Sequence, residues 1–111
     1  MAFTMYPVTD LDRAVAFYRD VLGLEPTDFQ TPFWAEFDLA GATFGIGSFE
    51  QAGKPGTAES LALEVDLGET KRRLGEHGIE LADPHELQNC RIGLVKDPDG
   101  NTVWLHERKS G

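Results

Sequence analysis

Few side chains in this 111-residue chain can do acid–base, nucleophilic or metal chemistry: three histidines, one cysteine and the carboxylates. His106 is the candidate for acid–base work. It stands two residues after Trp104 in V-K-D-P-D-G-N-T-V-W-L-H-E, residues 95–107. In a strand that spacing puts imidazole and indole on one face, so a proton carrier would sit beside a stacking surface. His77 falls in the last turn of a helix-like segment, where a protonated imidazole suits the helix dipole. His85, in D-P-H-E, reads as a solvated loop residue. Cys90 has the parity of Ile92 and Leu94, so it reads as a core thiol rather than a nucleophile. A single cysteine excludes an intrachain disulfide and suits a reducing cytoplasm, the expected location.

Charge narrows the partners. Nineteen acidic and ten basic residues give a net charge of −9. Such a surface repels phosphate backbones and anionic lipid heads, so neither nucleic acid nor membrane is expected as a partner. It favours a cationic small molecule or a basic partner, although solubility accounts for the same excess of acid. No apolar run approaches the roughly 18 residues of a membrane span. The first ten residues carry no basic region and no long apolar run, so no signal peptide is expected.

The elements that position these residues form a repeated series. A strand over residues 3–8 precedes a helix capped by Thr9 or Asp10. Leu11, Ala14, Val15, Tyr18 and Leu22 make its apolar stripe, widened by Phe17 and Val21, and Gly23 ends it. Strands follow over residues 25–30, 33–39 and 42–49. A Gly- and Pro-containing stretch then acts as a linker. The series restarts with a strand over 60–65 and a helix capped by Asp66, with Glu69 placed to complete a capping box. A short strand is expected at 79–81 and a loop at 83–88. A hairpin over 91–96 and 102–107 closes the chain. The fold class is α+β, in one domain. Residues 1–50 form a first βαβββ module, 51–58 a linker and 59–108 a second module.

Three segments together resemble the vicinal oxygen chelate superfamily, which includes glyoxalase, extradiol dioxygenases and bleomycin-resistance proteins. They are V-T-D-L-D-R-A-V-A-F-Y-R-D-V-L-G-L (8–24), L-A-L-E-V-D (61–66) and D-P-D-G-N (97–101). The last is also a good turn in its own right, with Pro98 presetting one dihedral and Gly100 free to take a positive φ. The resemblance implies paired modules whose sheets curve into a half-barrel cleft, with one helix per module on the outer face. It also implies a homodimer. Metal-binding members take ligands at four positions that here hold Phe3, Gly45, Ser60 and Trp104. Only the serine has an oxygen to offer, so no metal and no other cofactor is expected.

Strand alternation set by this resemblance gives the residues of the cleft face. The ligand-binding candidates are Phe3, Met5, Trp34, Glu36, Gly45, Gly47, Ser60, Glu64, Arg91, Trp104 and His106. The rings suit a planar ligand, Glu36 and Glu64 suit a cation, and the two glycines leave room beside the rings. The expected function is metal-independent binding of a planar or cationic, antibiotic-like small molecule, similar to the bleomycin-resistance branch. The alternatives are a superfamily enzyme and a closed, ligand-free core. An enzyme would use a non-standard metal site, or Glu64 and His106 as a metal-free acid–base pair. In the closed core, Phe3, Met5 and Trp104 would fill the cleft.

Overall fold

The computed structural model describes residues 3–109. The first module comprises β1 (Thr4–Pro7), α1 (Leu11–Ala16), β2 (Glu25–Thr31), β3 (Trp34–Asp38) and β4 (Thr43–Gly47). The second comprises β5 (Leu61–Glu64), α2 (Leu67–Glu76), β6 (His85–Glu86), β7 (Cys90–Lys96) and β8 (Thr102–Arg108). Each builds a four-stranded sheet, in the orders β1-β4-β3-β2 and β5-β8-β7-β6. In both, the first strand of the module runs parallel to the last and the other pairings are antiparallel. The repeat expected from the sequence is therefore exact in topology.

Asp10 caps α1 by accepting the Arg13 N–H at 3.2 Å. The helix then widens into a π-helical turn over Phe17–Val21, in which the Leu22 N–H reaches back five residues to the Phe17 carbonyl. That turn buries Phe17, Tyr18 and Val21 and leaves Leu22 half-buried. Asp66 caps α2 through the Glu69 N–H at 3.0 Å. The expected capping box is only half made, because the Glu69 carboxylate pairs with Arg72. Leu67, Thr70 and Leu74 face the core.

Two strand assignments change. Residues 79–81 form no strand: the Ile79 N–H closes the helix end on the Leu74 carbonyl, and Leu81 is buried. The edge strand lies instead at His85–Glu86, in the expected loop, where His85 pairs with Ile92. The facing of β7 also reverses. Val95 is buried, and Gly93 lies under Leu67 and Leu81, so this side of β7 packs on α2. Arg91 is on that side too, in an ion pair with Glu107 at 3.0 Å, and is not on the face of Trp104. Cys90, Ile92 and Leu94 lie on the opposite face, where Leu94 is 42% exposed, so Cys90 is not a core thiol.

The modules are tied together by buried polar groups. Asp97 is buried at the start of the D-P-D-G-N turn. One carboxylate oxygen accepts the N–H groups of Asp99 and Asn101, both at 2.9 Å. The other accepts the Tyr18 hydroxyl at 2.7 Å and the Asn101 side-chain amide at 2.9 Å. Asn101, fully buried, also donates to the Pro7 carbonyl and accepts the N–H groups of Gly56 and Ala58. One turn thus holds β1, α1's π turn and the inter-module segment. Tyr6 makes a second tie. Its hydroxyl accepts the Leu61 N–H at 2.5 Å and donates to the Thr102 carbonyl at 2.7 Å, bridging β5 and β8 at their mouth. Arg73 of α2 makes a third, donating to the carbonyls of Asp20 and Val21.

These ties put both helices on a shared side and leave the other face of each sheet open. No helix among the described residues is long and apolar enough to cross a membrane.

Both tyrosines are buried, which penalises the phenolate. Burial pushes the Tyr6 phenol up, and it pushes Tyr18 far above the usual range, reinforced by the neighbouring Asp97 charge. Folded values above the unfolded value of about 10 mean that the unfolded chain releases these protons first. The corresponding stability is intact below about pH 10 and falls as pH rises beyond it. Phenolate absorbance at 295 nm should therefore rise in one step, together with loss of near-ultraviolet circular dichroism. A tyrosine that titrates near pH 10 in the folded protein would contradict this packing.

Candidate functional site

The open face of the first sheet is an aromatic platform. Trp34 pairs with Gly47, and Glu36 with Gly45, across β3 and β4. The Trp34 indole lies flat over both glycines. A Cβ on Gly45 would collide with Trp34 Cζ2, and one on Gly47 would come within 2.7 Å of Phe49 Cε1 and 3.1 Å of Trp34 Cε3. The space expected for a ligand beside these glycines is thus taken by the indole itself, and they act as its floor. Trp34 Nε1 donates to Glu36 at 2.9 Å, which fixes the ring's rotation. Phe3 meets the indole edge-on at 5.8 Å between centroids, and Phe49 flanks it at 6.2 Å. Phe3 is 50% exposed and Phe49 37%, so the platform opens to solvent. Met5, the register partner of Gly45, is half-buried on this face.

The open face of the second sheet is built differently. Trp104 pairs with Leu94 on one side and Ala62 on the other, and its Nε1 donates to the Glu59 carbonyl at 2.7 Å. His106 pairs with Ile92 and with Glu64. Its Nδ1 lies 2.5 Å from Glu64 Oε2, while Oε1 accepts the Arg108 N–H at 3.0 Å. The contact with His106, and secondly that N–H, hold the Glu64 carboxyl below the usual carboxylate range. Lys96 donates to Thr102 at 2.5 Å on the same face. The two faces therefore differ in charge. Glu25, Glu36 and Asp38 stand on the first, and Lys96, Arg108 and the Glu64–His106 pair on the second.

The sequence candidates thus fall into two groups. Phe3, Met5, Trp34, Glu36, Gly45 and Gly47 share the first face. Glu64, Trp104 and His106 share the second. Ser60 lies near Phe3, lining with it a groove of about 410 Å³ at the seam. Arg91 belongs to neither. Ile92 and Leu94, expected on the core side, join the second face together with Lys96, and Phe49 joins the first. Counting outward from the turn, whose Asp97 N–H bonds the Asn101 carbonyl, pairs 96 with 102, 94 with 104 and 92 with 106. That register sets all three on the face of Trp104. Phe49 has the parity of Gly47 and would have followed from it.

Phe3, Gly45, Ser60 and Trp104, the positions that correspond to metal ligands by resemblance, offer one neutral hydroxyl between them. That set does not fit a divalent ion. Among the described residues, no three His, Cys, Asp or Glu side chains cluster in a way that could hold one elsewhere.

Comparison with known proteins agrees with this architecture. The model of the Glyoxalase/Bleomycin resistance protein/Dioxygenase superfamily matches residues 1–105. A lactoylglutathione lyase of Haemophilus influenzae is 30% identical, over 96% of this chain and 91% of that protein. Among solved structures, a glyoxalase/bleomycin resistance protein from Catenulispora acidiphila is 30% identical, with a TM-score of 0.76 and 97% of each chain covered. TnmS3, an antibiotic-binding protein from a Streptomyces species, has the same fold at 24% identity, with a TM-score of 0.78 over 98% of this chain and 97% of that one. With its two repeated modules and matched family model, the chain belongs to the glyoxalase/bleomycin resistance protein/dioxygenase superfamily.

Proposed function

We propose that this protein binds a planar, cationic small molecule against its open aromatic faces, without a metal. The observation that carries this reading is the Trp34 platform. An indole laid on two glycines and anchored to Glu36 is a preorganised stacking surface with a carboxylate at its edge. Stacking adds roughly 0.5–1.5 kcal/mol per ring pair, and a cation over an indole face about 0.5–2 kcal/mol. The absence of a normal ligand set at Phe3, Gly45, Ser60 and Trp104 weighs against the metal chemistry implied by the resemblance. The antibiotic-binding neighbour TnmS3 is in keeping with this reading.

The site would be completed by a second copy. One chain leaves both faces open, and the acidic first face complements the more basic second face of another chain. A homodimer would enclose the ligand between Trp34 of one protomer and Trp104 of its partner.

A second reading rests on one contact, Glu64 with His106. It holds Nδ1 and leaves Nε2 for proton transfer, as a metal-free acid–base pair would require. The relative from Haemophilus influenzae is a lyase by name, which favours an enzyme. Turnover lost in His106→Gln with ligand affinity unchanged would carry this reading. Equal turnover in wild type and His106→Gln would end it.

The binding reading predicts saturable quenching of tryptophan fluorescence by ethidium or bleomycin. Trp34→Ala and Gly45→Ala should each weaken binding about tenfold, the second by lifting the indole from its floor. Quenching unaffected by either substitution would overturn it. Sedimentation equilibrium should show a dimer at the binding concentrations; a monomer there would remove the shared site.

A further inference from the structure

The seam between the modules carries a recess that borders both sheets and reaches neither indole. It is a groove of about 610 Å³ running between the end of the first helix, the β3–β4 turn and β5. Leu22, Leu24, Leu39 and Val65 give it apolar, half-buried walls.

Two features of this groove call for a specific kind of occupant. The first is an unpaired strand edge. β5 is the outermost strand of its sheet. The Val65 N–H bonds the His106 carbonyl on β8 at 2.9 Å. Backbone groups alternate sides along a strand, so the N–H and C=O of Ala62 and Glu64 point away from β8 and into the groove. The second is a pair of neighbouring carboxylates. Glu25 and Asp38 line the groove as direct register partners across β2 and β3. Among the described residues, neither has an ion-pair partner.

We propose that the groove takes a short extended peptide segment bearing lysine or arginine, added as a strand to the free edge of β5. Its backbone would pair with Ala62 and Glu64. One of its apolar side chains would lie on the leucine walls. Its cationic side chain would sit between Glu25 and Asp38 and pair with their carboxylates. The edge spans only two outward-facing residues, so binding is weak and sensitive to salt. A free amine could meet the carboxylates but would leave the strand edge unused. This proposal does not rest on the indole-face reading.

The test uses the whole protein, labelled with ¹⁵N, and an acetylated, amidated hexapeptide of alternating valine and lysine. The expected result is a saturable shift of the Ala62 and Glu64 amide resonances, with no such shift from the same peptide carrying glutamate for lysine. Ala62→Pro removes an N–H that the β5–β8 ladder does not use, and should weaken binding about fivefold. The double variant Glu25→Gln/Asp38→Asn leaves the backbone untouched; it should weaken binding by a similar factor and flatten the salt dependence. The proposal is overturned if the lysine peptide produces no saturable shift at these amides or if the glutamate peptide binds equally. Spermidine binding there as tightly as the peptide would also overturn it, as would shifts confined to the indole N–H groups of Trp34 and Trp104.

Discussion

The structure depends on the burial of one carboxylate. Removing a carboxylate from water costs several kcal/mol unless its lone pairs are met by donors. Asp97 meets that condition with four donors, three from its own turn and one, the Tyr18 hydroxyl, from the other module. Tyr18 belongs to the first module, while Asp99 and Asn101 belong to the turn itself. Through Asn101 the same network reaches Pro7, Gly56 and Ala58. A short surface turn has thereby become the joint between two modules that otherwise meet along a narrow seam. The π-helical turn in the first helix serves the same joint, because Tyr18 lies within it.

This joint decides what the sheets can do. It draws both helices to one side, where Arg73 caps the end of the neighbouring helix, and so turns both remaining faces outward. Open sheet faces bearing Trp34, Phe3 and Phe49 on one sheet and Trp104 and Leu94 on the other are costly to leave in water. The Trp34 ring needs two glycines beneath it, and a side chain at position 45 would collide with it. At position 45, one of the four that the resemblance pairs with metal ligands, the Trp34 indole thus leaves no room for any side chain.

Much of the architecture was legible from short-range physics. Helix stripes, the caps at Asp10 and Asp66, and the repeated order of elements all followed from periodicity and capping chemistry. The facing of β7 did not. Its alternation sets Cys90, Ile92 and Leu94 against Arg91 and Gly93, and burial rules alone assign the apolar set to the core. The reverse holds because Leu67 and Leu81 already fill the space beside Gly93, while Ile92 and Leu94 join the open face of Trp104. The same cause hid the role of the glycines at 45 and 47. They can mean room for a ligand or room for a neighbouring ring, and only the course of the Trp34 side chain distinguishes the two.

The central claim is that the indoles of Trp34 and Trp104 form the walls of one ligand site. The sequence has two tryptophans, so an amide correlation spectrum of ¹⁵N-labelled protein contains one indole N–H signal for each. Titration with ethidium should shift both signals along a single saturating curve. Shifts at neither indole, or at Trp34 and Trp104 with separate affinities, would contradict a shared aromatic site.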